Sequence, residues 1–192
     1  YEGGATTTRL VDLIRTASKS IYIQSPYLIT TTQMRALLAA ASKRGVEIKI
    51  LTNSLASTDN LEAFSGYRRD RKELLETGAQ IFEFRPDAKV RFDIMTGELQ
   101  KSVAYKPVFG LHAKSMVIDG KITVIGTFNF DPRSANYNTE CITVLHNRAL
   151  STSVLEGMEI EFKPENAWRV SLDSNPDANA NQTKRIGAKL RR

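Results

Sequence analysis

The sequence predicts an α/β fold: a mixed, largely parallel β-sheet flanked by helices on both faces. Apolar runs of strand length alternate with helical repeats between residues 20 and 85, and each of the two helical repeats ends at a glycine. Further on, an Asp-Gly pair at 119–120 joins two β-rich runs. The β-α-β-α-β alternation calls for parallel neighbours, because a helical crossover returns the chain in the same direction, and the hairpin adds antiparallel ones.

The elements follow in order. "SIYIQSPYL" near 20–28 reads as the first strand. "TQMRALLAAASKRG" near 32–44 has helical apolar spacing, and Gly45 follows its last turn, where a left-handed cap fits. "EIKILTN" near 47–53 is the second strand, "LEAFSGYRRDRKELLETG" near 61–77 the second helix with Gly78 after it, and "AQIFEFR" near 79–85 the third strand. Residues 86–107 show weak periodicity and read as a long excursion with a short strand at "SVAYK". After the hairpin come a polar loop "DPRSANYNT", a strand "ECITVLH", a helix "RALSTSVLEGMEIEF" and a short strand "AWRVSL". From Ser174 the chain turns polar and Asn-rich, so residues 1–173 read as the domain and 174–192 as a polar, basic tail of linker or disordered character.

At 192 residues and 41% hydrophobic, the chain can bury one core and reads as a soluble globular domain. No run approaches the roughly 18 apolar residues that cross a bilayer, and no secretion leader opens it. Its start at Tyr1, without methionine, suggests a cut end with more chain upstream. The single cysteine, Cys141, excludes an internal disulfide and a multi-cysteine metal site, and its apolar run "ECITVL" predicts a small buried hydrophobe. A net charge of +6 favours a polyanionic partner, nucleic acid or an anionic lipid surface, although five of the basic residues sit in "TKRIGAKLRR".

The chemistry concentrates in "GLHAKSMVIDGKITVIGTFNF", residues 110–130. Asp-Gly supplies the positive φ angles of a two-residue type I′ turn, which makes Asp119 and Gly120 the structural loop. In that register Ile118 faces Lys121, Lys114 faces Ile125 and His112 faces Thr127. Period-two alternation then projects His112, Lys114, Thr127 and Asn129 from one side. An acid/base or nucleophile, a fixed cation, a hydroxyl and an amide held together suit a tetrahedral oxyanion, and so phosphoryl chemistry. Phe128 and Phe130 fall on the opposite side and read as core. His146 has no comparable surroundings.

The full pattern, H-x-K-x(4)-D-x(6)-G-T-x-N, is similar to the HKD signature of the phospholipase D superfamily, and Glu140 stands eleven residues after Asn129, where that family has a glutamate. "SPYL", "FNFDPRSANYNTE" and "FKPENAWRVSL" also resemble segments in the C-terminal half of bacterial cardiolipin synthase-like proteins, so the likeness covers about residues 5–173. The resemblance implies a phospholipase D-like α-β-α sandwich and a phosphatidyltransferase or phosphodiesterase acting through a phosphohistidine, without metal or cofactor. Under it His112 is either the nucleophile or the acid for the leaving group. Lys114 and Asn129 bind phosphate, Thr127 lies close to it, and Glu140 orients the imidazole. Asp119 stays structural.

Sites of this family use two such motifs, and this chain has one. The second would come from an upstream half or a second copy. The subfamily likeness favours the half-enzyme, which makes His112 the acid/base histidine. The implied substrate is a phospholipid, at the bacterial cytoplasmic membrane as a peripheral protein. Two alternatives stay open: a metal-independent homodimeric nuclease or general phosphodiesterase, with nucleic acid as partner, and a non-catalytic half that binds phosphate-bearing ligands.

Overall fold

The computed structural model describes residues 3–94 and 109–190. Among them the chain runs α1 (Ala5–Thr16), β1 (Ser20–Gln24), α2 (Thr32–Lys43), β2 (Glu47–Asn53), α3 (Leu61–Glu76), β3 (Gln80–Phe84), α4 (Lys89–Ile94), β4 (Ser115–Ile118), β5 (Ile122–Gly126), α5 (Pro132–Asn136), β6 (Ile142–His146), α6 (Arg148–Glu161) and β7 (Ala167–Val170). A 3₁₀ turn (Pro176–Asn179) and α7 (Gln182–Leu190) follow. The expected strand at "SVAYK" lies outside the described residues.

One seven-stranded sheet has the order β6-β5-β4-β1-β2-β3-β7. The β1–β2 and β2–β3 pairs are parallel and the other four are antiparallel. The sheet is therefore mixed, as expected, but antiparallel pairs are the majority. The two helical crossovers from β1 to β3 supply the parallel strand pairs; the connections β3–β4, β4–β5 and β5–β6 reverse the chain, whereas α6 carries it from β6 to β7 in the same direction.

Alternation along the strands builds two cores. Ile21, Ile23, Ile48, Ile50, Ile81, Met116, Ile118 and Val124 face the apolar sides of α1, α2 and α3. Tyr22, Leu51, Phe82, Phe84 and Val117 face Met158 of α6 and Phe162 just beyond it. Each fully buried side chain of this size contributes about 1.5–3 kcal/mol of transfer free energy. The helices start where capping side chains stand: the Thr31 hydroxyl accepts from the Met34 N–H, and Asn60 accepts from the Glu62 and Ala63 N–H groups. Gly45 and Gly78 take φ of 84° and 88° after α2 and α3, the left-handed caps expected there.

Several boundaries differ from the sequence expectation. β1 stops at Gln24 instead of running to residue 28, with Pro26, which has no N–H to donate, two residues on. The helix α1 was not anticipated, because "ATTT" at its start is poor helix sequence. Leu10, Val11, Leu13 and Ile14 nonetheless bury one face of it. The polar loop "DPRSANYNT" contains the short helix α5, capped by Asp131, whose carboxylate accepts from the Ser134 N–H at 2.8 Å.

The segment expected to be a tail is folded over its described part. Arg71 of α3 donates to Asn175 at 3.0 Å and to Asp177 at 2.8 Å, and Lys184 of α7 donates to the Ala56 and Thr58 carbonyls, each at 2.8 Å. Arg71 also pairs at 2.9 Å with Glu83, which is fully buried on β3 and accepts a hydrogen bond from Tyr67. Burial pushes the Glu83 carboxyl up to about 7, against the pull of Arg71 and the Tyr67 hydroxyl. A low-complexity sequence is thus anchored by an ion network whose other members lie about a hundred residues earlier in the chain.

Candidate active site

The hairpin turn forms as expected but the ladder above it is displaced. Asp119 and Gly120 have φ of 53° and 61°, and the Lys121 N–H closes the turn on the Ile118 carbonyl at 3.0 Å. The ladder then pairs Ile118 with Ile122 and Ser115 with Ile125, so Lys121 is an extra residue and the expected pairs Ile118–Lys121, Lys114–Ile125 and His112–Thr127 do not form. The hydrophobic pattern chose this register, since it alone puts Ile122 and Val124 on the same face as Met116 and Ile118.

The Asp119 carboxylate folds back across the α1–β1 connection. It accepts from the Ser18 hydroxyl at 2.9 Å and from the backbone N–H groups of Ser18, Lys19 and Ser20 at 3.1, 2.7 and 3.0 Å. Burial works to raise this carboxyl, but these donors hold it below the usual carboxylate range. Among the described residues, its partners are Ser18, Lys19 and Ser20 of the α1–β1 connection and Lys121 beside the turn, and none of them is a residue of the edge cluster described below.

His112 and Lys114 lie in the irregular segment before β4, not on a strand. Ser115 pairs with Gln24, the last residue of β1, so these two side chains stand beyond the carboxyl ends of the parallel strands. β5 ends at this same edge with Gly126 opposite Ile142, which places Thr127, Asn129 and Glu140 there too. The sheet edge, and not strand alternation, brings the five residues together. Ligands of open α/β sheets bind at this edge.

Backbone contacts fix the cluster. The Gly126 N–H donates to the Lys114 carbonyl at 3.1 Å and the Thr127 N–H to the Cys141 carbonyl at 3.0 Å. A Cβ at residue 126 would lie 2.1 Å from the Cys141 oxygen, so only glycine allows this approach. The Asn129 N–H donates to the Ser134 hydroxyl at 3.2 Å, and the buried Asn129 Oδ1 has no partner among the described residues.

The side chains form a connected polar patch. Thr127 donates to the Glu140 carboxylate, as does Asn138 at 3.1 Å, and the Lys114 ammonium donates to the His112 carbonyl at 3.1 Å. Partial burial would raise the Glu140 carboxyl, yet hydrogen bonds from Thr127, Ser134 and Asn138 and the Lys114 charge hold it low. Desolvation lowers Lys114, opposed by Glu140, Asp59 and Asp131. The acidic residues Asp59 and Asp131 thus belong to the electrostatics of the site, which sequence spacing did not reveal. The His112 ring is exposed. Among the described residues, the hydrogen-bond partners of the Glu140 carboxylate are Thr127, Ser134 and Asn138, and the expected orienting contact to His112 is not one of them.

Phe128 and Phe130 are buried in the core, as their positions predicted, and His146 is exposed at the far end of β6. Cys141 corrects its expectation: it is exposed, because it precedes β6, which lies at the edge of the sheet. Among the described residues, no three of His, Cys, Asp and Glu converge as a metal-ligand set, and no helix is long and apolar enough to cross a membrane.

Sheet order and edge cluster together define an open α/β domain with a polar cluster beyond the carboxyl ends of its parallel strands. The chain belongs to the family described as cardiolipin synthase, PLD-like domain, which matches residues 10–162. It is 36% identical over 170 residues to cardiolipin synthase C of Escherichia coli (strain K12), covering 86% of this chain but 34% of that protein. The chain therefore spans about a third of that relative's length. Its fold is similar to the phospholipase D family member Nuc of Salmonella typhimurium, with a TM-score of 0.61 and 20% identity over 88% of this chain and 93% of that one. The phosphatidylserine synthase of Haemophilus influenzae Rd KW20 has the same fold, with a TM-score of 0.63 and 10% identity over 98% of this chain and 43% of that one.

Proposed function

We propose that this chain supplies one motif of a two-motif, cardiolipin synthase-like site that transfers a phosphatidyl group through a phosphohistidine. The observation that carries the reading is the 36% identity to cardiolipin synthase C over a stretch holding one HKD motif and only 34% of that protein's length. The edge cluster supports it chemically. Lys114 spends one of its three donors on the His112 carbonyl and keeps two for phosphate oxygens, the Asn129 amide is the second phosphate donor, and Thr127 stands close to the phosphate with its proton given to Glu140.

In this cycle a histidine from the second motif attacks phosphorus, and the P–O bond to the departing alcohol breaks. His112 gives that oxygen its proton. A second alcohol then loses its proton to His112 and attacks the phosphohistidine, forming the new P–O ester and freeing the nucleophile. Lys114 and Asn129 neutralise the equatorial oxygens, and Asp119 takes no part. The protein works peripherally at the bacterial cytoplasmic membrane, where the exposed Arg185 and Lys189 of α7 face anionic lipid.

The test is conversion of phosphatidylglycerol, with and without phosphatidylethanolamine, by the protein that carries this chain at its native length, in EDTA. Cardiolipin formed by the wild type and lost in His112→Ala supports the reading, and no cardiolipin from either mixture removes it. DNA cleavage in EDTA by the 192-residue chain alone would favour the homodimeric nuclease instead.

A further inference from the structure

The segment that delivers His112 has no strand to hold it, yet the residue before it is tied down by a side chain. Leu111 and Asn53 are each 2% exposed. The Leu111 N–H donates to Asn53 Oδ1 at 2.7 Å, and Asn53 Nδ2 donates to the Leu111 carbonyl at 2.9 Å. Both backbone groups of Leu111 are thereby satisfied by one amide, a planar donor–acceptor pair that reproduces a strand neighbour.

The topology explains why a side chain is needed. β1 pairs with β2 only as far as Leu51, and beyond that the ladder gives way to side-chain contacts: the Pro26 carbonyl accepts from the Thr52 hydroxyl at 3.5 Å and from Asn53 Nδ2 at 3.4 Å. The Asn53 amide also reaches Leu111, which has no strand neighbour of its own there. Asn53 is itself held from behind, where the Ser57 hydroxyl donates to its Oδ1 at 3.1 Å and the Ser54 N–H donates to Ser57 Oγ at 3.0 Å. Ser25, at the end of β1 and fully buried, does the same for the other arm of the motif: its Oγ accepts from the Phe130 N–H at 3.1 Å, next to Asn129. Polar residues at the ends of two parallel strands thus hold the backbone beside His112 and beside Asn129.

We propose that Asn53 is a positioning residue for His112, acting through its double hydrogen bond to Leu111. It touches no substrate. Its role in the reaction rests on the reading of His112 given above, whereas the clamp itself does not, and the experiment separates the two.

The test compares Asn53→Leu and Asn53→Asp in the 192-residue chain by amide hydrogen exchange at Leu111 and by the imidazole Cε1–H resonance of His112. That resonance is assigned with a His146→Gln variant, since the chain has only two histidines. Leucine fills nearly the same volume but offers neither hydrogen bond, so exchange at Leu111 should accelerate about tenfold or more and the His112 resonance should shift. Aspartate keeps the acceptor for the Leu111 N–H, so protection there should be largely retained. A purely packing role predicts the reverse ranking, and exchange at Leu111 unchanged in a folded Asn53→Leu overturns the proposal. Should Asn53→Leu not fold, Ser57→Ala, which removes only the support behind Oδ1, takes its place with a smaller acceleration expected and the same refuting result.

In the protein at native length, Asn53→Leu should lower kcat by roughly 100-fold with KM little changed, as expected for a reacting group moved by about an ångström. Unaltered kcat with accelerated exchange overturns the positioning role. A wild type with no phosphodiester turnover, alongside accelerated exchange in the variant, leaves the clamp standing and removes the functional reading.

Discussion

Replacing Asp119 separates structure from chemistry within the motif. Four donor groups converge on its carboxylate: three backbone N–H groups and the Ser18 hydroxyl, at 2.7 to 3.1 Å, around a side chain only 3% exposed. A charge-assisted hydrogen bond contributes about 1.5–3 kcal/mol, but bonds sharing one acceptor are not additive and the freed N–H groups regain some water. A loss of about 3–4 kcal/mol for Asp119→Ala is the reasonable sum, part of it from the positive φ of 53°, which alanine tolerates poorly. For a chain of this size that is roughly 6–16 °C in Tm. Asp119→Asn keeps one acceptor and tolerates the backbone angle, so about half the loss is expected.

The assay is thermal unfolding by circular dichroism between pH 3 and 7. The folded-state pKa is depressed, so this stabilisation is present above the ordinary carboxylate value, about 3.9, and is lost as pH falls through the folded value. The gap between wild type and Asp119→Asn should therefore narrow below about pH 4. Activity per folded molecule, measured well below Tm, should survive in Asp119→Asn. A Tm within about 1 °C of wild type together with lost activity would refute the reasoning and put Asp119 in the chemistry.

Lys114→Met should lower kcat/KM by roughly 100-fold or more through loss of a phosphate donor while leaving Tm nearly unchanged, because a half-desolvated ammonium adds little to stability; parallel kinetics and melting curves check this. Glu83 holds a proton in the folded state from about pH 4.3, its ordinary value, up to about 7, so its contribution to stability falls as pH rises across that window, and Glu83→Gln should flatten the slope of Tm against pH there. Truncation after Asp173 should lower the urea midpoint markedly, since it removes Asn175, Asp177 and Lys184 and leaves buried Arg71 with less to pair; about 3 kcal/mol or more is expected, where a disordered tail would leave the midpoint unmoved.

What the sequence revealed depended on how local each signal was. The alternation of apolar runs with glycine-capped helical repeats located α2, β2, α3 and β3, because each of those patterns lies within its own segment. The Asp119-Gly120 turn was legible for the same reason, yet its register was not, since Ile122 and Val124 are placed by the core they meet. The reasoning that grouped His112 with Thr127 was therefore mistaken in its geometry, although the residues do share the sheet edge. Cys141 looked buried in an apolar run, but burial depends on strand order, and β6 lies at the edge. Asn53 carried no local sign at all, because its partner, Leu111, lies 58 residues away. Likewise "NPDANANQ" reads as linker until Arg71 is found opposite Asp177.

The most direct test of the central claim, that His112 belongs to one half of a phosphodiester-transfer site, is hydrolysis of a chromogenic phosphodiester in EDTA. The 192-residue chain is measured across a range of concentrations, alone and with a separately supplied domain bearing the second motif, with His112→Ala as control. The account predicts little turnover from the chain alone, turnover when the second motif is supplied, and its loss in His112→Ala. Turnover that persists in His112→Ala would contradict it.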